Sequence, residues 1–244
     1  MEVIILAAGK ARRFEEFTGG IPKPLFRLNG ESLLQKSLKN LSSLNLKSVS
    51  VVIGYKGNLI KENIGNEING MEIIYKENKD FQTTGNMHSL FCALEQPEKC
   101  LVLDADTVYD PKIIPPLIDC DYKNALLLNH ISKSGDEMFV VLDDQKRVIH
   151  FGKEHPPHPG FKYEHAGFTK YSKEFIEKMF ETHEINLDNG QTDDDHEYYA
   201  RRINHNFIPL HGLFLGPIQW TEIDRFEDIE RAKKILNDIE ATKI

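Results

Sequence analysis

The sequence predicts an α/β fold with a mostly parallel central sheet, helices on both faces, and a small antiparallel hairpin extension. Three observations carry this. Between Met1 and Tyr75, short β-branched runs alternate with stretches whose apolar residues recur at helical spacing, and the connections are short. Further on, two apolar runs, Met138–Leu142 and Arg147–Phe151, flank the turn-forming Asp143-Asp144-Gln145-Lys146, which reads as a hairpin. The 244 residues, 40% hydrophobic, suffice for one large domain, taken as 1–244.

The elements follow in order. Val3-Ile4-Ile5-Leu6 is a buried first strand. Asn29-Gly30 marks a turn, and Glu31–Asn45 repeats leucine at helical spacing through Leu34, Leu38, Leu41 and Leu44. Ser50–Ile53 is the second strand, Asn58–Ile68 a helix with Ile60, Ile64 and Ile68 on one face, and Met71–Tyr75 the third strand. Ser89–Leu94 is a short helix, Leu101–Asp106 a strand, Pro111–Ile118 a helix with proline in its first turn, and Asn124–Asn129 a strand. After the hairpin, His155-Pro156-Pro157-His158-Pro159-Gly160 must be loop, because proline removes donors and fixes φ. Ala166–Tyr171 is a strand, Lys173–Thr182 a helix, and a further helix opens in Thr192–Tyr199. The strand Trp220–Asp224 precedes a final helix, Phe226–Ile239.

Composition excludes several classes of function. The net charge of −8 without a basic cluster argues against a nucleic-acid partner. No apolar run approaches the roughly 20 residues that span a membrane. Three cysteines, with no Cys-x-x-Cys, suit reduced thiols in a cytoplasmic protein. His155 and His158 have no Cys or acidic partner at a zinc spacing.

Chemistry concentrates in a few motifs. Ala7-Ala8-Gly9 after the first strand lets the backbone approach a ligand closely, as phosphate loops do. Arg13 and Lys23, the latter between Pro22 and Pro24, add two cations, so a nucleoside triphosphate fits. Asp104 and Asp106 end an apolar strand, where alternation puts both on one side. Mg²⁺ takes one or two carboxylates plus phosphate oxygens, which suits that pair. Glu222 and Asp224 form a second acidic strand end. In Gly85-Asn86-Met87-His88-Ser89, an Asn side chain offers the donor and acceptor that a pyrimidine edge needs, although Asn86 or Ser89 could equally cap a helix. Asp193–Asp195 and Tyr198-Tyr199 read either as helix capping or as an acidic, aromatic patch for a cationic substrate.

Leu6-Ala7-Ala8-Gly9 with Arg13, followed by Pro22-Lys23-Pro24-Leu25, resembles the signature of the GT-A-like nucleotidyltransferase family, a Rossmann-like fold. The family usually carries glycine where this chain has Ala11. Asn86-Met87-x-Ser89-Leu90 resembles the branch containing phosphocholine and 2-aminoethylphosphonate cytidylyltransferases. The resemblance implies transfer of a cytidylyl group from CTP to a small phosphorylated or phosphonylated metabolite, with release of pyrophosphate and dependence on Mg²⁺ (or Mn²⁺ in its place). It makes Lys23 and Arg13 the catalytic cations. It assigns nucleotide contacts to Leu6, Ala7, Ala8, Gly9, Lys10, Arg13, Lys23, Gly85, Asn86, Ser89 and Asp104. Asp106 and Asp224 become the metal ligands, with Glu222 a further candidate, and Glu154, Glu164, Asp194 and Tyr198 the candidate acceptor contacts. The rival readings are a sugar-1-phosphate or inositol-phosphate nucleotidyltransferase, a glycosyltransferase using Asp104-x-Asp106, and a nucleotide-binding regulatory module.

Overall fold

A computed structural model describes residues 1–11, 14, 19–157 and 161–242. The chain runs β1 (Glu2–Ala7), a 3-10 turn (Lys23–Leu25), β2 (Arg27–Leu28), β3 (Glu31–Ser32), α1 (Leu33–Ser42), β4 (Ser48–Ile53), α2 (Gly57–Ile64), β5 (Glu67–Ile68) and β6 (Met71–Glu77). Then come α3 (Asn86–Ala93), β7 (Cys100–Asp104), β8 (Thr107–Tyr109), a 3-10 turn (Pro111–Ile113), α4 (Ile114–Asp119), β9 (Ala125–Asn129), β10 (Phe139–Leu142), β11 (Val148–Gly152) and β12 (Lys162–Tyr171). The last elements are α5 (Lys173–Asp188), α6 (His196–Asn206), β13 (His211–Phe214), β14 (Trp220–Glu222) and α7 (Asp228–Ala241).

The main sheet has the order β11-β10-β12-β7-β1-β4-β6-β5, with β9 beside β12 and β13 beside β9. Strands β7, β1, β4 and β6 are mutually parallel and carry the expected α/β core. Strands β10, β11 and β12 extend it antiparallel, so the hairpin is one part of a larger antiparallel flank. Alternation along β1 shows why helices cover both faces. Val3, Ile5 and Ala7 enter one core with residues of α1, α2 and α4, while Ile4 enters another with residues of α3, α5 and α6. Each fully buried aliphatic side chain there contributes roughly 1.5–3 kcal/mol. A third core packs α7 against Phe14, Leu33, Val108 and Ile223.

Several boundaries differ from the sequence reading. Helix α2 stops at Ile64 because Gly65 turns into the left-handed region at φ +79°, so Ile68 lies in a strand. Helix α3 begins at Asn86, three residues early, and α5 runs on to Asp188. Strand β7 ends at Asp104 and β14 at Glu222, so Asp106 stands in a turn and Asp224 in the irregular segment beyond them, not in alternating strand positions. The segment 155–157 is irregular, as its prolines dictate, and His158 lies outside the described residues. Among the described residues, no helix is long and apolar enough to cross a membrane. Cys92, Cys100 and Cys120 are free thiols.

Candidate active site

The site forms where the parallel strands end. Strands β1 and β7 pair Leu6 with Asp104, so the loop after β1 and the acidic end of β7 emerge side by side. The Ala8 carbonyl accepts from the Tyr55 amide at 3.0 Å, and a Cβ at Gly54 would come within 2.8 Å of the same oxygen. Gly54 is therefore required for the β1 loop to lie against the end of β4. A Cβ on Gly9 would meet nothing within 4 Å among the described residues, and Gly9 lines the adjoining cavity. Ala11, where the resembled signature has glycine, adopts φ +50°.

Lys23 is the centre of the arrangement. Its stem is buried in the 3-10 turn that Pro22 leads into, and Nζ donates to Asp106 Oδ2 at 2.8 Å and to Asp224 Oδ1 at 2.7 Å. Burial alone would lower its pKa, but the two carboxylates outweigh burial and hold it above the ordinary lysine value. A two-stranded ladder brings those carboxylates together. Strand β14 pairs antiparallel with β8, Glu222 facing Thr107, and the Ile223 amide donates to the Asp106 carbonyl at 3.1 Å. Asp228 fixes the following turn by accepting from the amides of Asp224 and Arg225 at 2.9 and 2.8 Å.

Three adjoining cavities share Asp106. The first, about 440 Å³, is lined by Leu6, Ala7, Gly9, Lys23 and Asp224 among others. The second, about 190 Å³, lies between Ala8, Phe81, Gly85, Asn86, Ser89 and Asp104. Asn78 anchors its wall, with Nδ2 donating to Thr84 Oγ1 at 3.1 Å and Ser89 Oγ at 3.0 Å. The third, about 260 Å³, gathers Asp104, Asp106, Asp136, Glu164, Asp195, Glu197, Glu222 and Asp224 together with Lys153, which pairs with Asp136 at 3.0 Å. Burial, then the neighbouring carboxylates, push the Asp104 and Glu222 pKa values well up. Burial also raises Glu164, whose oxygens accept from the Ser132 amide and hydroxyl at 2.5 and 3.0 Å. Strand β12 makes room for this crowding. Its register breaks between His165 and Thr169, and Gly167 sits there at φ +74°, where a Cβ would meet Asp104 Oδ2 at 2.8 Å.

Most sequence-derived residues converge here, with definite exceptions. Leu6, Ala7, Ala8, Gly9, Lys23, Gly85, Asn86, Ser89, Asp104, Asp106, Glu164, Glu222 and Asp224 line the three cavities. Lys10 instead sits over the Tyr55 ring, 5.7 Å from its centroid. Arg13 lies outside the described residues. Three acceptor candidates do not line the acidic cavity. Glu154 follows β11 into solvent and offers its carbonyl to His150. Asp194 turns its backbone carbonyl to the Met87 amide. Tyr198 is 40% exposed, on a surface groove beneath Arg201. The acidic cavity is lined instead by Asp136, Asp195 and Glu197. The capping expectations also change: α3 has no side-chain cap, and Asp195, at the N-cap of α6, makes no capping bond.

The donor set fits a hard divalent cation. Among the described residues Asp106 Oδ1 is buried without a hydrogen-bond partner, and carboxylate oxygens are the ligands Mg²⁺ prefers. Among the described residues no three His, Cys, Asp or Glu groups already gather at ligating distances; Lys23 instead bridges Asp106 and Asp224.

A carboxylate-and-lysine centre at the carboxyl edge of a parallel sheet, beside an open glycine loop, defines a phosphate-handling α/β domain. The chain belongs to the MobA-like NTP transferase domain family, whose profile matches residues 3–159. It is 25% identical to the bifunctional protein GlmU of Methanocaldococcus jannaschii over 98% of this chain and 55% of that one. It is 28% identical to the 2-aminoethylphosphonate cytidylyltransferase of Lancefieldella rimae over 62% of this chain and 60% of that one. The solved inositol-1-phosphate CTP transferase of T. maritima shares the fold at a TM-score of 0.79 and 22% identity, over 96% of this chain and 95% of that one. Against the first curated relatives the chain spans 19 to 55% of their length.

Proposed function

We propose that this domain transfers a cytidylyl group from CTP to a small phosphorylated or phosphonylated acceptor bearing a positive charge, releasing pyrophosphate. The observation that carries the reading is Lys23 held between Asp106 and Asp224 at the meeting point of three cavities. The triphosphate lies along the backbone of Ala8–Gly9, with Lys23 as a nearby cation; the sequence motif adds Arg13 as a second candidate. Lys23, charged throughout the neutral range, neutralises the α-phosphate and the incoming phosphate. The acceptor's own phosphate oxygen is already an anion and attacks the α-phosphorus in line, so no protein nucleophile or base is needed. Catalysis is positioning plus charge stabilisation. Asp106 and Asp224, with Glu222 beside them, are the residues that would hold Mg²⁺, which would supply positive charge for the phosphates.

The acidic cavity supports a cationic acceptor. A neutral sugar would leave Glu164 and Glu197 desolvated without an opposite charge from the ligand. The likeness to a 2-aminoethylphosphonate cytidylyltransferase points the same way. The test is a pyrophosphate-release screen of CTP, UTP, ATP, GTP and dTTP against 2-aminoethylphosphonate, phosphocholine, inositol 1-phosphate and sugar 1-phosphates. Fastest turnover is expected with CTP and an amine-bearing acceptor. A neutral phosphate that wins at matched concentration overturns the acceptor assignment, and comparable efficiency with UTP overturns the base assignment.

A further inference from the structure

Asn86 stands between the glycine-loop side of the site and the acidic side, lining both the second and the third cavity. Its amide is already engaged. Oδ1 accepts from the backbone N–H of His196 at 2.6 Å, supplying the cap that the Asp195 side chain does not give α6. Nδ2 donates to Glu197 Oε2 at 3.5 Å. The other Glu197 oxygen lies 3.3 Å from His196 Nε2, and His196 Nδ1 lies 3.2 Å from the Tyr171 hydroxyl. Glu197 is therefore held from two sides, one of which is Asn86.

The neighbouring backbone reinforces this contact. The Gly85 amide donates to the Thr192 carbonyl at 2.9 Å, the Met87 amide to the Asp194 carbonyl at 3.3 Å, and Thr192 Oγ1 to the Thr83 carbonyl at 2.7 Å. A Cβ on Gly85 would come within 2.2 Å of the Asp194 carbonyl oxygen, so glycine is required for the two segments to touch. An Asn that turned its amide to a cytosine edge would abandon the His196 amide and release Glu197.

We infer that Asn86 is a positioning residue that sets the acceptor-side carboxylates Asp195 and Glu197, and that it does not read the base. The inference rests on the nucleotidyl-transfer reading above. Two variants test it. Asn86→Ala removes both contacts; Asn86→Asp keeps an acceptor for the His196 amide and loses the amide donor. With 2-aminoethylphosphonate as the acceptor probe, Asn86→Ala is expected to raise the acceptor KM about tenfold. Its ratio of CTP to UTP efficiency should stay within threefold of wild type. Hydrogen exchange over His196–Tyr198 in the substrate-free protein should quicken about tenfold in Asn86→Ala and stay near wild type in Asn86→Asp. A CTP-to-UTP ratio moved beyond threefold in either variant, an unchanged acceptor KM, or unchanged exchange in Asn86→Ala overturns the inference. A wild type that turns over neither nucleotide sinks the parent reading, and the exchange measurement still decides whether Asn86 caps α6.

Discussion

Replacing Lys23 by methionine keeps an unbranched stem in the buried turn and removes the charge. The two carboxylates it bridges then face each other, with Glu222 and Asp104 close behind. Removing one member of a buried ion pair costs roughly 3–5 kcal/mol. Asp106 and Asp224 keep 26% and 23% of their exposure, so water recovers part of that and the lower end, about 3 kcal/mol, applies. For a chain of this size that is a fall in Tm of about 6–12 °C. The Lys23 pKa is raised, so its contribution is complete below the ordinary 10.5 and lost only as pH rises through the higher folded value. The deficit should therefore appear undiminished at pH 7. Turnover should fall by at least ~10²-fold, the scale for one group that stabilises transition-state charge. Calorimetry with pyrophosphate-release kinetics measures both, and Lys23→Met/Asp106→Asn should lose less stability than the two single changes added together. A single variant that melts with the wild type and keeps near-normal turnover would refute the reasoning.

Asp106→Asn and Asp224→Asn should each abolish most activity, and EDTA should do the same to the wild type; full activity in EDTA removes the metal from the mechanism. Ala11 at φ +50° carries a left-handed penalty of roughly 1–2 kcal/mol, of which the extra unfolded-state freedom of glycine takes back about 0.5–1. Ala11→Gly should thus gain about 0.5–1 kcal/mol, or ~2 °C in Tm, and a lower Tm contradicts that account. Burial, with His88 Nδ1 3.0 Å away, lowers the His183 pKa to about 4. A depressed histidine gives stability that is complete above the ordinary 6.5 and lost as pH falls towards 4, with a slope approaching ~1.4 kcal/mol per pH unit. Asp104 and Glu222, whose pKa values are raised, act with the opposite sign, so the difference between wild type and His183→Gln isolates the histidine. Urea midpoints from pH 7 to 4.5 should fall less steeply in the variant, and parallel curves would exclude the effect.

What was legible in the sequence depended on how local the cause was. Lys23, Asp106 and Asp224 announced themselves through short motifs at the ends of apolar runs, and the parallel core through strand and helix periodicity. The wall of the acidic cavity was legible only in part: Glu164 and the Asp193–Asp195 run pointed to it, whereas Glu154 and Tyr198 do not line it. Tyr198 neighbours Glu197 in sequence, yet successive helical residues point some 100° apart, so Glu197 turns inward and Tyr198 outward. Asn86 looks like a base reader until its partner, 110 residues away, is known. Asp106 and Asp224 were expected on strand faces, but each stands just past its strand, Asp106 in a turn and Asp224 where Asp228 holds its amide.

The β8–β14 ladder also governs when the protein can become competent. Lys23 and Asp106 are 83 residues apart, but Lys23 and Asp224 are separated by 201. Closing so long a loop is entropically dear, and contacts of that separation form slowly. The β1–β4–β6 unit can assemble from nearby segments while a chain is still emerging from the ribosome, whereas the second carboxylate arrives only with strand β14. A nascent chain halted before Trp220 would present the glycine loop with Lys23 and Asp106 but no Asp224. The ionic centre is then completed only after residue 224 has been made, and translation-arrested chains of graded length should acquire it abruptly once residues 220–224 clear the exit tunnel.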